Sequence, residues 1–119
     1  MNSVNIVGRL TRDVELRYTV DELAIATFTV ALNRYMGKDE NGNAKTDTAY
    51  IDCKCFGKKA EFVANNSGKG LTIAVHGRLD QNKYTDKDGK SHSYLEVVAD
   101  EVEPVEWKKK NQVVEDFTF

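Results

Sequence analysis

Apolar residues recur at every second position through most of the first hundred residues, and helical spacing appears only once. In "LAIATFTVALNRY", Ala26, Phe28, Val30 and Leu32 share one face while Thr27, Thr29, Ala31, Asn33 and Tyr35 share the other. Side chains alternate across a strand, so this pattern predicts one with a single buried face. The same period runs through "NSVNIVGRLT", which is read as continuing beyond a turn-like "TRD" into "VELRYT" at Val14 to Thr19. It returns from Thr48 to Phe56, in "LTIAVHGRLDQNKY" with Leu71, Ile73, Val75, Gly77 and Leu79 on one side, and in "SHSYLEVVADEVEPVEW". The last of these is expected to end near Pro104, the only proline, which has no N–H for a further ladder bond. The exception is "GKKAEFVANNSGKG", where Ala60, Val63 and Ala64 fall at helical spacing before Gly68 and Gly70. Between the second and third strands, "MGKDENGNAKTD" reads as a long polar loop. Three strands, one short helix and two strands predict an all-β, five-stranded Greek-key barrel of the oligonucleotide-binding (OB) type, with its helix between strands 3 and 4.

A chain of 119 residues removes roughly two thirds of its unfolded surface from water, enough for one domain with an unaided core. No apolar run approaches the ~20 residues of a membrane span and no signal-peptide pattern opens the chain. The expectation is a cytoplasmic protein without membrane contact. Cys53 and Cys55 lie two apart on one strand, too divergent to bridge comfortably, and are read as small buried hydrophobes. His76 and His92 have no ligand-like spacing to them, so neither a metal nor a cofactor is expected. Charge is uneven: fourteen basic residues face twelve acidic ones before position 91, and three face seven after it. The organisation read from this is a barrel over residues 1–107 and a short tail over 108–119.

The stretch "YIDCKCFGKK" carries the functional signal. As a strand it puts Ile51, Cys53 and Cys55 on the face that can enter a core, and Tyr50, Asp52, Lys54 and Phe56 on the other. Aromatic rings among charges on an outward face need a reason. Binding in an OB fold uses strands two and three and the loops joining strands one to two and four to five. Tyr35, Tyr50, Lys54 and Phe56 come from those strands, and Lys83 and Tyr84 open the last hairpin. Exposed rings give flat surfaces on which unpaired bases stack, and interleaved cations follow the phosphates, which points to a single-stranded nucleic acid. Arg34, Lys54, Lys58, Lys59, Arg78 and Lys83 are the candidate phosphate contacts. Each ring has a structural alternative, covering a second core or a subunit interface; Phe28, Phe62 and Tyr94 are assigned to core or interface, and Trp107 to packing against the barrel or a neighbouring subunit.

The blocks "VNIVGRLTRDVELRY", "IATFTVALNR", "YIDCKCFGKKAEFVA", "KGLTIAVHGRL" and "KYTDKDGKSHSYLEVVADEV" resemble, in order, those of bacterial and phage single-stranded DNA-binding proteins. The resemblance spans about residues 2–103. It implies sequence-tolerant coating of single-stranded DNA in replication, recombination and repair, without catalysis, by a homotetramer. It places stacking aromatics at Tyr50, Phe56 and Tyr84, and a further one at Met36 with Tyr35 beside it. It also implies that "VVEDFTF", with Glu115, Asp116, Phe117 and Phe119, serves as an acidic tip for replication and repair partners. Two other classes compete. A nuclease on the same barrel would need a carboxylate cluster for a metal, and none is evident in the sequence. A primosome-type module would use the barrel to dock proteins and bind DNA weakly.

Overall fold

The computed structural model describes residues 1–108. Its strands are β1 (Val4–Leu10), β2 (Glu15–Tyr18), β3 (Ala24–Lys38), β4 (Ala44–Phe56), β5 (Thr72–Thr85) and β6 (Ser91–Pro104), and the helix α1 (Lys58–Asn66) lies between β4 and β5. Pairing runs β1–β5–β6–β4–β3, and β1 also pairs with β3, so five strands close into a ring. The β4–β6 pair is parallel and the others are antiparallel. This is the five-stranded barrel with one inserted helix that the alternation predicts. The segment after "TRD" departs from expectation, because β2 pairs only with β3 and stands outside the ring.

Closure depends on Gly8. Just before Arg9, where β1 pairs with both β5 and β3, a Cβ on residue 8 would lie 2.3 Å from the Ala31 carbonyl oxygen. Only a residue without a side chain lets the two backbones approach so closely. The enclosed core contains Leu10, Ala26, Phe28, Val30, Cys53, Cys55, Ile73, Val75 and Val97, all contributed by alternate positions of their strands. Helix α1 covers it with Ala60 and Val63. Its last turn ends at Ser67 in extended backbone, and the Ser67 N–H bonds the Val63 carbonyl, so glycine does not cap it directly.

The expected long loop between the second and third strands is a correction. β3 continues to Lys38 and β4 starts at Ala44, leaving a five-residue turn. The Asp39 carboxylate accepts from the N–H groups of Asn41 and Asn43, both at 2.9 Å, and Gly42 supplies the positive φ. A turn closed by its own aspartate needs few residues. The polar composition misleads because this end of the hairpin stands beyond the core, with both faces in water. The β5–β6 hairpin projects in the same way, and Asp86 closes its turn by accepting from Asp88 and Lys90. Leu79, which the alternation assigns to the core face, is exposed although Val97 opposite it is buried.

Candidate nucleic-acid interface

The outward face of β4 carries Tyr50, Asp52, Lys54 and Phe56, directly opposite Ala31, Thr29, Thr27 and Ile25 of β3. Cys53 and Cys55 point the other way into the core, as the period requires. Tyr50 faces an alanine and keeps 66% of its surface exposed, while Phe56 keeps 39%. They are six positions apart along the strand, or about 20 Å at the usual rise. Between them Thr29 Oγ1 donates to Asp52 Oδ1 at 2.8 Å, which holds that carboxylate flat on the sheet. Tyr35, opposite Thr46, continues the same face up the projecting hairpin and is exposed. Arg34 does not join it. It alternates to the other side and pairs with Asp47 at 3.1 Å. Met36 falls in the register shift between Tyr35 and Lys38 and is exposed.

A second aromatic group sits on the β5–β6 hairpin. Tyr84 pairs across the ladder with His92, and their rings stack with centroids 5.0 Å apart and 20° between planes. Tyr94, on the same face two positions along, lies 6.3 Å from Tyr84. His92 Nε2 is 2.6 Å from Asp86 Oδ2, which ties the stack to the turn. The His92 contact, followed by the Lys90 N–H, holds the Asp86 carboxyl below the usual carboxylate range, and the Asp88 N–H acts in the same direction. Tyr94 is a correction to the sequence reading in so far as it assigned a core place, since the residue is 47% exposed. Lys83 alternates to the opposite face from Tyr84.

The two groups meet at a charged junction. Lys54 Nζ lies 2.6 Å from Glu96 Oε1 of β6, and Asn82 Nδ2 of β5 donates to the same oxygen. Glu96 is only 8% exposed. The Lys54 ammonium is also 5.8 Å from the Phe56 ring centroid, within cation–π range. Arg78 pairs with Asp100 at 2.6 Å. Among the described residues, no carboxylate pairs with Lys58, Lys59 or Lys83. Lys58 and Lys59 open α1 just after Phe56 and are exposed. The candidate cations thus fall into two sets, one satisfied by acids and one open to an added anion.

Sequence reasoning missed Glu96, His92 and Tyr94. A carboxylate between Leu95 and Val97 in an apolar strand is a visible anomaly, but its lysine partner emerges only from the β4–β6 register. Phe62 and Trp107 form an edge-to-face pair at 5.6 Å beside α1, so Trp107 packs against the barrel's helix as expected. Glu115, Asp116, Phe117 and Phe119 lie outside the described residues. Among the described residues, no group of three or more His, Cys, Asp or Glu side chains gathers as a metal site would require, and no helix is long and apolar enough to cross a membrane.

Comparisons with known proteins agree with this geometry. The model of the single-strand binding protein family matches residues 1–105. Single-stranded DNA-binding protein 2 of Listeria monocytogenes is 45% identical over 111 residues, covering 93% of this chain and 68% of the relative. The single-stranded DNA-binding protein of Streptococcus pyogenes serotype M3 is 42% identical over 106 residues, covering 89% of this chain and 63% of the relative. Among solved structures, a deletion mutant of the single-stranded DNA binding protein from Thermus aquaticus superimposes with a TM-score of 0.74 at 32% identity, covering 89% of this chain and 51% of that one. This chain therefore spans about two thirds of the curated relatives and half of the solved one. It belongs to the single-strand binding protein family.

Proposed function

We propose that this protein binds single-stranded DNA without reading its sequence, as a binding protein with no catalytic step. The observation that carries the reading is the exposure of Tyr50 and Phe56 on one outward strand face and of Tyr84 on the adjoining hairpin, each on a rigid ladder. Rings exposed in this way have a face to offer a base, and every base has a π-face to meet it, so stacking favours unpaired strands of any sequence. Tyr35 and Met36 extend the platform along the first hairpin. Lys58 and Lys59, which lack acidic partners among the described residues and come just after Phe56, are the leading phosphate contacts; Lys83 serves from the other face of the hairpin, and Arg34 and Arg78 contribute through guanidinium N–H groups beyond the one each gives its carboxylate.

Family membership supports a role in protecting single strands during replication, recombination and repair, by a homotetramer in the cytoplasm, associated with the nucleoid or, for a phage-encoded protein, in the cytoplasm of the host. The division into a barrel over 1–107 and a tail over 108–119 fits a tip at Glu115, Asp116, Phe117 and Phe119 that recruits replication and repair proteins. Anisotropy titration of a labelled thymine oligonucleotide, against a duplex of equal length and without divalent metal, tests the central reading. Preference for the single strand, with affinity falling as salt rises, is expected. Equal or negligible binding to both would overturn it and leave the rings to a protein partner.

A further inference from the structure

Lys54 looks like a phosphate contact in the sequence, set between Tyr50 and Phe56 on the outward face. Its surroundings say otherwise. The ammonium lies 2.6 Å from Glu96 Oε1, and Glu96 is almost entirely withdrawn from water. Asn82 donates to that same oxygen from the neighbouring strand. The three residues come from β4, β6 and β5, so the cluster spans the sheet beneath the junction of the two aromatic groups. A phosphate that drew Lys54 away would strand a carboxylate with little access to water, which is among the costlier events at a protein surface.

We propose that Glu96 is a positioning residue of the DNA platform: with Asn82 it holds Lys54 against the sheet beside Phe56, so that Lys54 supports the ring and is withheld from the phosphates. The inference rests on the single-stranded DNA reading above and deepens it. The Lys54–Glu96 pair adds no net charge to the platform, and the strand is held at Phe56 by stacking. The unpaired cations after the ring, Lys58 and Lys59, are left to follow the backbone.

The salt dependence of binding separates this arrangement from a merely structural ion pair. Each phosphate contact on a single strand adds about 0.7 to the slope of log affinity against log salt. Thymine-oligonucleotide binding is measured over a salt series for the wild type, Glu96→Gln and the double variant Lys54→Met/Glu96→Gln. Removing the carboxylate charge releases Lys54 to the backbone, so Glu96→Gln is expected to bind tighter at low salt with a slope steeper by about 0.7. The double variant is expected to return to the wild-type slope. An unchanged slope in Glu96→Gln overturns the proposal, and so does a double variant shallower than wild type by about 0.7, because Lys54 would then already hold a phosphate. If Glu96→Gln fails to fold, the double variant, whose pair is replaced by uncharged side chains of similar size, decides alone. A wild type without preference for the single strand refutes the DNA-binding reading instead, which keeps the two failures apart.

Discussion

Replacing Tyr50 by alanine isolates one stacking platform. Its ring is 66% exposed and lies opposite Ala31, so truncation opens no cavity and breaks no hydrogen bond to the side chain among the described residues. Surface substitutions of this kind change stability by about 0.5 kcal/mol or less. Base–aromatic stacking contributes about 1–3 kcal/mol by alanine substitution. At 1.4 kcal/mol per decade, Tyr50→Ala is expected to weaken thymine-oligonucleotide binding by roughly 5- to 150-fold while leaving the melting temperature within about 3 °C. Its salt slope should match that of the wild type, since no phosphate contact is lost. Tyr50→Phe keeps the ring and should bind within about two-fold of wild type. Anisotropy titrations alongside thermal melts measure both quantities. A loss below two-fold in Tyr50→Ala, with the fold intact, would refute stacking at this position.

Other perturbations probe the scaffold. Gly8→Ala places a methyl group against the Ala31 carbonyl at the ring closure, and a destabilisation of about 1–3 kcal/mol or more is expected in urea melts; an unchanged midpoint would show that β1 does not cross so closely. Phe28→Ala empties the barrel centre and should cost about 3–5 kcal/mol, and a loss under 1 kcal/mol would contradict the core assignment. Burial pushes the Cys53 thiol up to about 12, with Asp52 adding to it, and the Cys55 thiol up to about 11. Unfolded cysteines ionise near 9.0, so the folded state loses stability only as pH rises from there toward 11 and 12. The thiols should resist a disulfide reagent near neutral pH until the protein unfolds, and Cys53→Val/Cys55→Val should flatten the alkaline decline in stability. Rapid labelling of the native protein would place the thiols outside the core.

The barrel was legible because its buried faces alternate cleanly. Phe28, Val30, Cys53, Ile73 and Val75 each sit where a period of two puts them, and Ala60 and Val63 where a period near 3.6 does. The hairpin ends were not legible, since the stretch from Asn33 to Thr48 stands clear of the core and the alternation signal vanishes with burial. Tyr50 and Phe56 were found by their misfit, large rings sharing a face with charges. Glu96 was also a misfit, but its meaning depends on Lys54 and Asn82, which are 42 and 14 residues away in sequence and adjacent only through two strand pairings. Tyr94 was read as core or interface, and its exposure removes the core half of that reading, because nothing in "SHSYLEVV" marks where the strand leaves the barrel. The pairing register, which sequence alone does not supply, separates Lys54 from Lys58 as candidate phosphate contacts.

The most direct test of the account is ultraviolet cross-linking of the full chain to a thymine oligonucleotide, with adducts mapped by peptide mass spectrometry. The account predicts adducts at Tyr50, Phe56 and Tyr84, lost when a competing unlabelled single strand is added and unaffected by duplex. Adducts confined to Phe62 and Trp107 beside α1, with Tyr50, Phe56 and Tyr84 unmodified, would contradict it and move the DNA to another face of the barrel.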